Sequence, residues 1–95
     1  MTNYEVMFII DPALEDDAKQ STIEAVKGII DAQGEVGDVD EWGLRKLAYP
    51  IQKKQEGYYV VLTFKADPTL PKELDRRLRI SDNIMRHIIV NKDEK

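Results

Sequence analysis

The chain has 95 residues, no cysteine, one histidine and a net charge of −4. That length affords a single domain over residues 1–95, with two layers of secondary structure and no insertion to carry a separate active site. The lack of cysteine excludes disulfides and thiolate-ligated metals, and suits a reducing cytosol.

Tyr4–Ile10 reads as a strand, with Tyr4, Val6, Phe8 and Ile10 on one face and Glu5, Met7 and Ile9 on the other. This near-apolar run is too short to span a bilayer, and the preceding residues lack the basic-then-apolar order of a secretory signal, so a cytoplasmic location is expected. Asp11-Pro12 ends the strand. Leu14–Gln33 follows helical spacing through Ile23, Val26, Ile29 and Ile30, with Glu15, Asp16 and Asp17 in the first turn and Gly34 placed as the residue just past the helix. Val36–Ile51 is a long extended segment in which Gly37 and Gly43 mark bulges or a bend. Gln52–Gly57 reads as a polar hairpin tip, and Tyr58–Lys65 as the clearest strand of the chain. Asp67-Pro68 opens a second helix with Leu70, Leu74 and Leu78 at four-residue spacing and acid-before-base pairs Glu73/Arg77 and Asp75/Arg79. Ser81-Asp82-Asn83 is a turn, Ile84–Val90 the last strand, and Lys92–Lys95 a charged tail.

The order βαββαβ is the split-βαβ, or ferredoxin-like, arrangement. Right-handed crossovers then give an α+β fold: a four-stranded antiparallel sheet in the order 4-1-3-2 with two helices on one face. Alternation sends Val6, Phe8, Val60, Leu62, Phe64, Ile84 and Ile89 under the helices. It leaves Met7, Ile9, Tyr59, Val61, Ile88 and Val90 on the open face, an apolar surface large enough to mark a partner. Arg86 falls on that open face, where it either pairs with Glu5 or reaches a phosphate.

No catalytic site is expected. His87 points toward the helices and reads as a structural histidine, and no nucleophile setting, metal-ligand spacing or glycine-rich phosphate loop is present. Neither a metal nor a cofactor is implied. Acylphosphatases of this topology hold phosphate with an arginine after the first strand; here that turn is Asp11–Asp17, without arginine. RNA-recognition motifs of the same topology place spaced aromatics on the third strand, and Glu56–Phe64 matches that pattern poorly, with Tyr59 the only aromatic on the open face.

Charge is divided along the chain. Residues 1–41 carry eleven acids and two bases, residues 42–95 seven acids and twelve bases. Such asymmetry fits a two-sided electrostatic surface, and equally fits ordinary charged helix faces. The densest cluster is Trp42-Gly43-Leu44-Arg45-Lys46-Leu47-Ala48-Tyr49-Pro50-Ile51, followed by Lys53-Lys54 and Gly57-Tyr58-Tyr59. Four bases interleaved with aromatics suit a phosphate-contacting edge, and also an edge strand guarded against aggregation.

This stretch, with Tyr4-Glu5, Gly57-Tyr58-Tyr59 and the Arg79–Arg86 approach to the last strand, closely resembles the bacterial small-subunit ribosomal protein S-six family over essentially the whole chain. The resemblance implies a structural constituent of the small ribosomal subunit. Such a protein binds 16S ribosomal RNA in the central domain, at the platform, as a pair with ribosomal protein S-eighteen. On this expectation Arg45, Lys46, Arg86 and Lys92 contact phosphates, with Lys53 and Lys54 weaker candidates and Arg79 either a contact or only the partner of Asp75. Trp42, Leu47, Tyr49, Pro50, Ile51 and Tyr59 are the candidates for the protein partner. The alternative is a ferredoxin-like interaction or regulatory module that dimerises through its open sheet.

Overall fold

A computed structural model describes residues 1–51 and 54–93. Six elements follow in order: β1 (Thr2–Ile10), α1 (Asp16–Asp31), β2 (Gly34–Ile51), β3 (Lys54–Ala66), α2 (Leu70–Arg79) and β4 (Ile84–Asn91). The strands lie in the order β2-β3-β1-β4, and every neighbouring pair is antiparallel. This is the expected topology.

The core forms where the helices' apolar stripes meet one face of the sheet. Ile23, Val26 and Ile30 of α1 and Leu70, Leu74 and Leu78 of α2 pack onto Tyr4, Val6, Phe8 and Ile10 of β1 and Val60, Leu62, Phe64 and Ala66 of β3. Ile84 is buried with them, and Ile89 packs at the margin. Burial of each of these large side chains contributes about 1.5–3 kcal/mol, upper-bound figures because the unfolded chain already hides some apolar surface. Tyr4 and Phe64, neighbours across the β1–β3 ladder, stack with ring centroids 5.4 Å apart.

Among the boundaries that differ from the sequence expectation, three are instructive. First, α1 begins at Asp16, not Leu14. The Asp11 carboxylate takes the Ala13 N–H at 2.9 Å, and the Asp11 carbonyl takes the Leu14 N–H at 3.2 Å, so residues 11–14 form a local turn instead of a helical one. Second, Gly34 does not close the helix. Ala32 does so in the right-handed conformation, and Gly34 opens β2 opposite Ala66. A Cβ there would lie 2.3 Å from the Lys65 carbonyl oxygen, so glycine serves close strand approach. Third, β3 starts at Lys54, inside the expected tip Gln52–Gly57; Gln52 and Lys53 lie outside the described residues.

Among the described residues, two of the three register shifts between β2 and β3 fall at the glycines that the sequence singles out, and the third lies between Lys46 and Ile51. Pairing of β2 with β3 skips between Val36 and Val39 and again between Glu41 and Gly43. Gly43 has φ of +81°, which an L side chain rarely adopts.

His87 faces the helices as expected. Its Nε2 lies 2.6 Å from the Asp75 carboxylate of α2, and that carboxylate also pairs with Arg79. The hydrogen bond from His87, then the charge of Arg79, holds Asp75 below the usual carboxylate range. Glu73 is lowered to about 2 by hydrogen bonds from Arg76 and Arg77. Both acids are partly exposed and their arginine partners lie mostly in solvent, so these ties clamp the helix surface without adding much to stability.

Two glycine replacements separate conformation from space. Gly28, in mid-helix with no atom within 4 Å of an added Cβ, is expected to give about 0.5–1 kcal/mol of stabilisation on Gly28→Ala. Gly34→Ala is expected to cost about 1–3 kcal/mol, because the neighbouring backbone must move. Equilibrium urea unfolding of the two variants checks the opposite signs.

Candidate nucleic-acid interface

β1 has 9 residues and β2 has 18, so the β2–β3 hairpin outruns the rest of the sheet. Ile10, the last residue of β1, lies opposite Tyr58. Beyond it the ladder continues through Arg45↔Gly57, Lys46↔Glu56 and Ile51↔Lys54 with no third strand alongside. This free arm carries most of the residues that the sequence singles out.

The arm leans over the open face of the sheet. Gly57 makes this possible: a Cβ at that position would fall 2.2 Å from Ile9 Cγ2 and 3.4 Å from Leu47 Cδ2. Leu47 is thereby only 8% exposed and Ile9 only 4%. Ile9 is therefore not left open as alternation alone suggests, and Leu47 spends its surface on packing inside the chain. Tyr49, half-exposed, reaches across to β4, where the Arg86 guanidinium lies over its ring at 5.4 Å from the centroid. Together Met7, Ile9, Leu47, Tyr49, Tyr59, Arg86 and Ile88 line a groove of about 310 Å³.

A second tie holds the arm near its tip, where Lys54 pairs with Ile51. The Lys54 ammonium lies 2.5 Å from an Asp11 carboxylate oxygen, with both side chains mostly covered. The hydrogen bond from Lys54, then that from the Ala13 amide, lowers the Asp11 pKa from its ordinary value of 3.8. Lys54 is thus an internal fastener.

At the root of the arm the bulge leaves Trp42 without a partner, because Glu41 pairs with Val60 and Gly43 with Tyr59. The indole lies nearly parallel to the Tyr59 ring, at 9° and 6.2 Å between centroids, and its N–H donates to Asp40 Oδ2 at 2.9 Å. Beside the pair, Asp40, Glu41, Arg45 and Lys46 complete an open cleft of about 720 Å³. Glu41 is occupied: it accepts from the Tyr58 hydroxyl at 2.8 Å and from Gln20 at 3.1 Å. The hydrogen bond to Glu41, then burial, raises the Tyr58 pKa. Arg45 and Lys46 are exposed, and among the described residues no carboxylate lies within 4 Å of either.

The remaining candidates are dispersed. Arg86 pairs in register with Ile9, and Glu5 faces Val90. The expected Arg86–Glu5 contact is replaced by Lys92, whose ammonium lies 3.7 Å from Glu5. The reason is antiparallel order: an early β4 residue meets a late β1 residue. Arg79 pairs with Asp75 in the helical layer, on the other side of the sheet from Arg86. Pro50 is exposed on the arm, Lys53 lies outside the described residues, and Ile51 is described only by its ladder pairing with Lys54. The Tyr49–Arg86 stack and the Asp11–Lys54 tie were not expected from the sequence; the Asp-Pro step alone marked only a turn.

Among the described residues no cluster of three or more histidine, cysteine or acidic side chains is placed to hold a metal ion, and no helix is long and apolar enough to cross a membrane.

A family model described as Ribosomal protein S6 matches residues 3–91. The chain belongs to the ribosomal protein S6 family. Its S6 relatives include the small ribosomal subunit protein bS6 of Clostridium novyi (strain NT), 52% identical over 95 residues that cover 99% of this chain and all of the relative. The protein of the same description from Clostridium kluyveri is 54% identical over 96 residues, covering both chains completely. The crystal structure of 30S ribosomal protein S6 from Thermotoga maritima superposes with a TM-score of 0.92 at 34% identity, covering 97% of this chain and 88% of that one. The family resemblance read from Trp42–Ile51 therefore holds along the full S6 domain.

The tie near the arm's tip can be tested through its charge. Asp11→Asn is expected to lower unfolding free energy by about 1 kcal/mol near neutral pH, a charge-assisted bond discounted for partial exposure. A lowered carboxylate pKa contributes stability above the unfolded value and loses it as pH falls through the folded one. The difference between wild type and Asp11→Asn should therefore shrink below pH 3.8. Urea unfolding at about pH 7 and about pH 2.5 measures both.

Proposed function

We propose that this chain is a non-catalytic structural constituent of the small ribosomal subunit in the cytoplasm. It binds the central domain of 16S ribosomal RNA, at the platform, as a pair with ribosomal protein S-eighteen. The observation that carries the reading is the full-length likeness to proteins described as small ribosomal subunit protein bS6, in a chain that sets Arg45, Lys46 and Arg86 on and beside one arm. Arg45 and Lys46 stand at the arm's root without acidic partners, and Arg86 stands beneath it, held by Tyr49 rather than by a carboxylate.

These three side chains supply the phosphate contacts, with Lys92 secondary because Glu5 already draws on its charge. Lys54 and Arg79 are committed to Asp11 and Asp75 and contribute little. An overall charge of −4 opposes RNA at long range, so the chain alone binds weakly. A basic partner corrects this. It meets the acidic α1–β2 side or the exposed apolar surface of Ile88, Val90, Tyr49 and Pro50, and the pair presents one cationic surface to an RNA junction.

Calorimetric titration of a 16S central-domain fragment, with this chain alone and with S-eighteen added, at two salt concentrations, tests the reading. Tight, salt-sensitive binding only with the partner present is expected. Arg45→Ala and Arg86→Ala should each weaken that binding and reduce the salt slope by roughly 0.7–0.9, one phosphate contact. Absence of RNA binding with a folded partner present, together with a stable homodimer in light scattering, would return the chain to an interaction module.

A further inference from the structure

We infer that Trp42, seated on Tyr59, is a stacking platform for one unpaired RNA base, with Arg45 and Lys46 holding the phosphates on either side of that nucleotide. This deepens the RNA-binding reading above and rests on it.

The bulge builds the platform. Register skips Trp42, so its side chain is released from the ladder's alternation and turned onto the neighbouring strand's aromatic ring. Tyr59 lies parallel to the indole in an offset stack, and the Asp40 carboxylate fixes the ring's orientation through its N–H. The side chain is nevertheless 45% exposed, a large apolar area to leave in water on a small domain. A flat, oriented aromatic with an open face suits a nucleobase, and each such stack commonly contributes a five-fold or greater gain in affinity, roughly 1 kcal/mol upward. The flanking chemistry points the same way. Arg45 and Lys46 alternate along the strand just past the bulge, border the same cleft and have no carboxylate within reach among the described residues.

A cationic side chain from a protein partner fits less well. Asp40 and Glu41 keep their charge, but Asp40 Oδ2 and Glu41 Oε1 already accept from Trp42, Tyr58 and Gln20, and Arg45 and Lys46 in the same cleft offset the attraction. Base stacking on the open sheet, as an RNA-recognition motif does it, is a different geometry: the stacking ring here belongs to the edge strand β2, and Tyr59 of the central strand β3 only supports it.

Trp42 is the chain's single tryptophan, so its emission reports the site directly. The probe is the 16S central-domain fragment added to the full chain already mixed with S-eighteen, and Trp42→Phe supplies the background from the partner. Saturable quenching of the Trp42 emission by the RNA is expected. Trp42→Ala should weaken RNA binding about ten-fold while leaving the salt slope unchanged, and Trp42→Phe should retain affinity within about three-fold. The urea midpoint of each variant is measured alongside. RNA that binds with the emission unquenched, or with equal affinity for Trp42→Ala, would overturn the platform and leave the RNA-binding reading intact. Weaker binding of S-eighteen to Trp42→Ala without RNA would reassign the ring to the protein partner. Failure of the wild-type pair to bind the fragment would overturn both readings.

Discussion

A hairpin twice as long as the strand beside it has to put its surplus somewhere, and the contact between Gly57 and Ile9 decides where. With hydrogen in place of a methyl group at Gly57, the arm approaches β1 closely enough for Leu47 to be buried against Ile9. Everything distal follows from that approach. Tyr49 is carried over the sheet to Arg86, Lys54 comes within reach of Asp11, and the surface that alternation leaves open acquires a roof at one end and stays bare at the other, where Ile88 and Val90 are half exposed. An arm without these ties would be an isolated two-stranded ribbon, which is marginal in water.

The bulges do the complementary work at the arm's root. A regular β2 would point Trp42 to the side dictated by its neighbours and continue the pleat. One extra residue breaks the alternation, and Gly43 absorbs the turn at positive φ. The strand thus carries two kinds of aromatic. Tyr49 is placed by the arm's lean, whereas Trp42 is placed by a local defect. Neither aromatic belongs to the core cluster under the helices.

Topology was legible because each element carries its own period: two-residue alternation in Tyr4–Ile10 and Tyr58–Lys65, four-residue leucine spacing in α2. Apart from the start of α1, which a local Asp11 turn displaces, the features that differ depend on residues distant in sequence. Gly34 looks like a helix terminator because that role and close strand approach call for the same residue, and only the Lys65 carbonyl distinguishes them. Glu5 and Arg86 share a face but not a register, since antiparallel β4 brings Val90, not Arg86, opposite Glu5. Burial of Ile9 and Leu47 needs the arm's direction, which no local pattern encodes. The Trp42-Gly43 step advertised a bulge, yet where the indole would land depends on Tyr59, seventeen positions on.

The internal pairings also change what the chain's charge means. Counted along the sequence, the second half is strongly basic. In the folded chain Lys54 is consumed by Asp11, Arg76 and Arg77 by Glu73, Arg79 by Asp75, and Lys92 leans on Glu5. A cation already neutralised by a carboxylate displaces few counterions from a phosphate, so these residues add little salt-dependent affinity. What is left near the arm is a short set, Arg45, Lys46 and Arg86, set against an acidic first half. Three contacts give a modest electrostatic grip, too small to overcome the repulsion of α1 and the β2 carboxylates at a distance. Co-dependence on a basic partner is then a consequence of how the charges are spent inside the fold, and the arm's aromatics supply the shape-specific part of recognition that so few cations cannot.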